Sequence, residues 1–246
     1  LAIREESQGP NHLDTAGSLN NLAVYLEKTG DPADFAAARP LYERALAISE
    51  QELGPMHLDT STSLSNLADY LEKTGDPADF AAARPLYERS LAISEQELGP
   101  MHPDTFTSLI GIASYLDKAA DPTDQAAAHP FYQRVLARLE ETVGPDDQET
   151  LRIKQKFALS LRKTGRADDA LPLIHDVVDR QSRLTGGNSL KTASALSALG
   201  ATLQATGDRS GAEDAYRNAL AIHLEKLGPD DPATQLVQGR LDDLLA

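Results

Sequence analysis

The 246-residue chain contains no cysteine and no tryptophan, and only 5% of its residues are aromatic. The absence of thiols excludes disulfide stapling, thiolate metal sites and a cysteine nucleophile. The scarcity of aromatic residues, beside alanine throughout, favours close helix-on-helix packing over a sheet core. No run of about 18 apolar residues exists, and LAIREESQGP at 1–10 lacks a basic-then-apolar leader pattern, so nothing marks a membrane span or export, and the cytoplasm is the default location. Basic residues are also in short supply, 23 against 38 acidic, for a formal charge of −15. A surface of that sign does not suit nucleic acid or anionic lipid and points to protein partners.

What is abundant is self-similarity. The nineteen residues LEKTGDPADFAAARPLYER at 26–44 recur letter for letter at 71–89. Gly-Pro or Gly-Gly punctuation at Gly9, Gly54, Gly99, Gly144, Gly186 and Gly228 gives steps of 45, 45, 45, 42 and 42 residues. A unit copied at fixed period signals a stacked array, because each copy offers its neighbour the same surface. The marks divide the chain into the end of a preceding repeat (1–9), five repeats (10–54, 55–99, 100–144, 145–186 and 187–228) and a capping helix (229–246), within one domain that reads as a piece of a longer protein.

Each repeat reads as two helices. Leu19, Leu22, Ala23 and Leu26 follow the i, i+3, i+4, i+7 spacing of one helical face, and the later copies repeat it, except that Lys154 stands where the first leucine belongs, so the first helix of the fourth copy is expected to pack less well. The second helix pairs a small with a large residue four positions on: Ala38 with Tyr42, Ala83 with Tyr87, Ala128 with Tyr132, Ala170 with Ile174, and Ala212 with Tyr216. Asp14, Asp59, Asp104 and Ser189 are placed as N-caps. Pro40, Pro85, Pro130 and Pro172 are placed near the start of the second helices, which puts the three extra residues of the longer repeats in a turn.

These features, with the strings SLNNLAVYLEKTG, ARPLYERALAI and LGPMHPDT, resemble the tetratricopeptide repeat, and specifically its longer kinesin light chain type. The resemblance implies an all-α, right-handed superhelical solenoid of antiparallel helix pairs, with first helices lining a concave groove that binds a peptide or partner segment. It also implies groove-facing roles for Asn20, Asn21 and Asn66, whose amides can bond a peptide backbone, although Gly111 and Ala198 replace asparagine in later copies. The fourth repeat differs, carrying Arg152, Lys154, Lys156, Arg162 and Lys163 on one helix. Arg152 and Lys156 lie four apart and match groove positions suited to carboxylates, so the ligand is expected to be acidic; the competing reading is that these cations balance Asp146, Asp147 and Glu149. Asp69 and Ser65 stand where a full carboxylate clamp would have Lys and Asn.

The ladder Lys28, Lys73, Lys118 and Lys163 reads as a solvated helix edge. His12, His57 and His102, one per loop, are too widely spaced for one metal ion and read as turn packing; Tyr25, Tyr70 and Tyr115 read as packing between repeats. The common catalytic and nucleotide-binding motifs are absent, and no cofactor is implied. The sequence thus predicts a non-catalytic interaction scaffold. A second expectation is a sensor or regulatory arm of a larger multidomain signalling ATPase, with an intramolecular partner domain; a third is self-association through the array's ends.

Overall fold

The computed structural model describes residues 2–100 and 102–246, with the side chains of 2–4 set aside. Leu1, where the first segment begins, and Met101, within LGPMHPDT, lie outside the described residues. Among the described residues every regular element is a helix. In chain order they are α1 (Ala2–Gln8), α2 (Leu13–Glu27), α3 (Pro32–Leu53), α4 (Leu58–Lys73), α5 (Pro77–Leu98), α6 (Pro103–Leu116), α7 (Pro122–Ala126), α8 (His129–Thr142), α9 (Gln148–Lys163), α10 (Ala167–Thr185), α11 (Leu190–Thr206), α12 (Arg209–Leu227) and α13 (Pro232–Leu245). The chain forms two units, divided between Tyr115 and Leu116. In the first, α2, α3, α4 and α5 pack in succession; in the second, α8 to α13 do the same.

The caps differ from expectation. In the first two copies His12 and His57, not Asp14 and Asp59, hold the extended backbone before the helix, and each Nδ1 accepts the N–H two residues on, at 3.2 and 3.1 Å. His102 Nδ1 accepts the Asp104 N–H likewise at 3.2 Å. An imidazole nitrogen reaches the N2 amide as a capping oxygen would, so the aspartates fall inside the first turn, favoured there by the helix dipole. Ser189 caps α11 as predicted, accepting from Thr192 at 3.1 Å. The threonine that follows each histidine at three residues closes the turn: Thr15, Thr60 and Thr105 donate to the carbonyls of Gly9, Gly54 and Gly99, and Thr150 to that of Gly144, at 2.8–3.0 Å. Gly54, at φ 92, takes the left-handed backbone that ends α3.

The three extra residues do not lengthen a turn. Asp31 and Asp76 cap α3 and α5, each followed by proline at the first helical position, and both helices run 22 residues against 19 for α10 and α12. The difference, 22 − 19 = 3, is helix. Pro40, Pro85 and Pro172 therefore lie inside α3, α5 and α10, where each removes one i→i−4 bond. Only Pro130 is in a first turn, because the third copy breaks at Ala127 and Ala128 into α7 and α8.

The small-and-large pairs form the core as predicted: the five small residues are fully buried, and Tyr42, Tyr87, Tyr132, Ile174 and Tyr216 nearly so. At the matching slot of α11 only glycine fits, since a Cβ on Gly200 would lie 2.8 Å from the Tyr216 ring. Tyr70 stacks on Phe35 and Tyr115 on Phe80, at centroid distances of 4.8 and 4.6 Å. Tyr25 does not share this packing: it is 66% exposed.

Lys154 does not leave a poorly packed helix. It is buried, and its Nζ lies 2.6 Å from both Asp176 and Glu140; Asp176 also accepts from Arg180, which pairs with Asp146. Burial lowers the Lys154 pKa, but the hydrogen bonds of the two carboxylates outweigh it and the net shift is upward.

Candidate peptide-binding groove

In the second unit, α9, α11 and α13 line a groove of about 670 Å³. Its floor is made of small side chains of α11: Ser194, Ser197, Ala198 and Ala201. Its rim carries exposed leucines, Leu159 (40% exposed) on α9, Leu190 (42%) on α11 and Leu236 (56%) on α13. Four cations, Arg152, Lys156, Arg162 and Arg240, line it with no carboxylate among the lining residues. A second, more polar recess of about 400 Å³ shares Arg152, Gln155, Leu190 and Ser194 and extends the groove toward Gln148, Glu149 and Lys191.

The cations are held differently. Arg152 grips Glu149 with two hydrogen bonds, the Nε contact at 2.7 Å, which raises its pKa against the opposing effect of burial and lowers that of Glu149. Arg240 donates to Ser197 Oγ at 2.9 Å. Lys156 and Arg162, both half-buried, make no ion pair among the described residues. Burial depresses the Lys156 pKa, with Arg152 and Lys118 adding repulsion; burial depresses that of Arg162 too, with Arg240 adding repulsion. An anion entering the groove would relieve both.

Arg162 is the residue that motif reading passed over, and a paired exchange marks it. In the other copies this position is an acceptor within reach of the core tyrosine: Tyr42 donates to Glu27 at 2.7 Å, Tyr132 to Asp117 at 2.6 Å and Tyr216 to Gln204 at 3.1 Å, while Tyr87 donates chiefly to Asp69 with Glu72 at 3.3 Å. In the fourth copy Ile174 replaces the tyrosine and Arg162, a donor only, replaces the acceptor. Losing the hydroxyl on one helix and the acceptor on the other leaves a cation directed to the groove. His223, 7% exposed, also lines it, and its Nδ1 has no hydrogen-bond partner.

The predicted residues fall in both units. Arg152 and Lys156 line the groove. Asn20, Asn21 and Asn66 lie in the first unit: Asn20 is half-buried and donates to Ser63 Oγ at 3.2 Å, Asn21 is exposed, and Asn66 is half-buried. Lys154 belongs to the buried ion network rather than the groove. Of the lysine ladder, Lys28 and Lys163 are exposed, and Lys73 pairs with Glu27 at 3.2 Å. Among the described residues no group of three or more His, Cys, Asp or Glu could hold a metal ion, and no helix is long and apolar enough to cross a membrane.

Successive helix pairs with a small-residue seam and a groove over alternate helices define a helical-repeat protein. Tetratricopeptide repeat models match residues 33–79 and 149–225, and a second such model matches 60–104. The chain belongs to the tetratricopeptide repeat family, whose arrays serve as protein-interaction scaffolds. Its fold is similar to that of the kinesin light chain nearly identical TPR-like repeats of Podosopora anserina, at 21% identity over 88% of this chain and 98% of that one, with a TM-score of 0.77. BtubC (BKLC) from P. vanneervenii is similar at 22% identity, 94% and 81% coverage and a TM-score of 0.62; the assembly chaperone of RpL4, Acl4, at 14%, 94% and 83%, and 0.58. A comparison with curated proteins finds no match.

Proposed function

We propose that the chain is a non-catalytic scaffold whose groove over α9, α11 and α13 takes an acidic segment of a partner protein. One observation carries this reading: four cations and no carboxylate line the 670 Å³ part of the groove, in a chain of net charge −15, and Glu149 of the adjoining recess is already held by Arg152. Two of the cations, Lys156 and Arg162, are half-buried without an ion pair among the described residues, and burial and like charges outweigh the pull of Glu149 and Asp117 on Lys156, which favours an anionic occupant. The exposed leucines supply apolar contact area beside the charges. Isothermal titration against a library of acidic peptides tests the reading, with Lys156→Glu and Arg162→Glu as variants. Binders are expected to lose at least tenfold in affinity on either reversal, which corresponds to about 1.4 kcal/mol or more. Indifference of every binder to both reversals removes the reading.

A further inference from the structure

We infer that the occupant of this groove is an amphipathic α-helix with acidic flanks, lying along α9 and α11; the inference rests on the acidic-partner reading above and adds the ligand's conformation. The first argument is the length of the trough. Its lining on α9 runs from Gln148 through Arg152, Gln155 and Leu159 to Arg162, steps of four, three, four and three residues, and on α11 Leu190, Ser194, Ser197 and Ala201 keep the same register. The fourteen steps from Gln148 to Arg162 along α9, at about 1.5 Å each, make a slot of roughly 21 Å, the length of a four-turn helix.

The second argument is the floor. Ser194, Ser197, Ala198 and Ala201 are short, whereas the walls carry Arg152, Lys156, Leu159 and Arg162 on one side and Leu236 and Arg240 on the other. Short side chains between long ones allow helix axes to approach to about 8–10 Å, as when ridges enter a groove. The third argument is backbone hydrogen bonding. An extended segment must find partners for its amides and carbonyls, whereas a helix satisfies its own. In the first unit Asn21 and Asn66 occupy the slot suited to bonding an extended backbone, but its counterparts here are Lys156 and Ala198, and the neighbouring Gln155 amide is committed to Ser194 at 3.1 Å.

His223, more than nine-tenths buried, also lines the slot, and its Nδ1 is buried without a hydrogen-bond partner. The charges then fix the ligand's pattern. Arg152 with Lys156, and Arg162 with Arg240, form two repelling cation pairs toward opposite ends of the slot, with Leu159 between them on α9. The fitting helix places apolar residues at its centre and carboxylates about two turns apart on the face that meets the groove.

The test uses the whole chain and two display libraries of 14-residue peptides randomised over Leu, Ala, Glu, Asp, Gln and Lys. One library is held helical by a hydrocarbon staple on the outer face; the other carries proline at positions 5 and 10. Enriched sequences are remade in both formats and their affinities measured by fluorescence anisotropy. The expected result is that stapled, acid-flanked sequences bind at least tenfold more tightly than their proline-broken forms. Affinity should also fall at least tenfold with Arg162→Glu and with the floor-raising pair Ser194→Phe and Ala198→Leu, both partly exposed positions, with melting temperatures checked to be unchanged. Proline-broken peptides binding equally well or better, while remaining sensitive to Arg162→Glu, would overturn the helix and leave the acidic-partner reading intact. If neither library yields binders sensitive to Arg162→Glu or Lys156→Glu, both readings fall.

Discussion

Truncating Lys154 to alanine strands two carboxylates at the junction of α8, α9 and α10. Removing one partner of a buried ion pair costs about 3–5 kcal/mol when the remaining charge cannot reach water. Here the Asp176 and Glu140 side chains are 31% and 43% exposed, so both rehydrate in part, and Arg180 still neutralises Asp176. The expected loss for Lys154→Ala is therefore about 2–3 kcal/mol. Urea unfolding followed by circular dichroism at pH 7 measures it.

The first two copies supply a matched repair. They have Leu19 and Leu64 at the lysine slot, and an arginine at the Asp176 slot that pairs with the equivalent glutamate, as Arg44 does with Glu5 at 2.7 Å. Ile48 and Ile93 occupy the Arg180 slot. The triple variant Lys154→Leu, Asp176→Arg, Arg180→Ile should recover stability to within about 1 kcal/mol of the parent, since an apolar replacement for a buried ion network is often neutral or better. If Lys154→Ala loses less than about 0.5 kcal/mol, or the triple variant is no more stable than the single one, the network is not what holds this junction. The pH dependence has two edges. Burial raises the Asp176 pKa but the hydrogen bonds from Lys154 and Arg180 reverse it, leaving it lowered, while that of Lys154 is raised. The stabilisation is thus complete between the unfolded carboxylate and lysine ranges, about 3.9 and 10.4, and is lost as pH falls through the folded Asp176 value or rises through the folded Lys154 value.

Three further outcomes test the packing. Burial, then the nearby Arg166, lowers the pKa of His129, whose Nε2 lies 3.2 Å from Thr164 Oγ1; its neutral form is favoured on folding, so stability is full above the unfolded value of about 6.5 and falls as pH drops below it, a slope that His129→Gln should flatten in melting curves. Gly200→Ala forces a Cβ against the Tyr216 ring and should cost about 1–3 kcal/mol, whereas Gly111→Ala, whose Cβ would meet Tyr87 at 3.4 Å, should be neutral or gain up to about 1 kcal/mol from helix propensity; equal effects in denaturant titrations would contradict the close approach at Gly200. Pro40→Ala restores a backbone bond inside a continuous 22-residue helix and should raise the melting temperature; a lower one would indicate that α3 does not run through residue 40.

Much of the architecture was legible in the linear order of residues. Period, helix pairing and the buried Ala and Tyr slots follow from which residues recur at which spacing, because an i, i+4 face has the same meaning in every copy. Local chemistry was less so. A histidine capped where an aspartate was expected, since both residues stand within reach of the same amide and only the point at which the backbone becomes helical selects between them. The insertion became helix rather than turn because packing of α3 and α5 against their neighbours outweighed the loss at Pro40 and Pro85, a balance that propensity alone does not give.

The groove was legible in part. Arg152 and Lys156 were identifiable from charge out of trend on one helix, but nothing in that count separates them from Lys154, which turns to carboxylates inside, or singles out Arg162, whose partner was lost from a different helix. Arg240, His223 and Leu236 lie far along the chain. By itself the sequence determined the repeated unit and its seam, because stacking needs only matched surfaces between neighbours. Which cations stay without a counter-charge, and what they surround, was decided by the tertiary structure, because charge pairing depends on distances between helices that no single helix encodes.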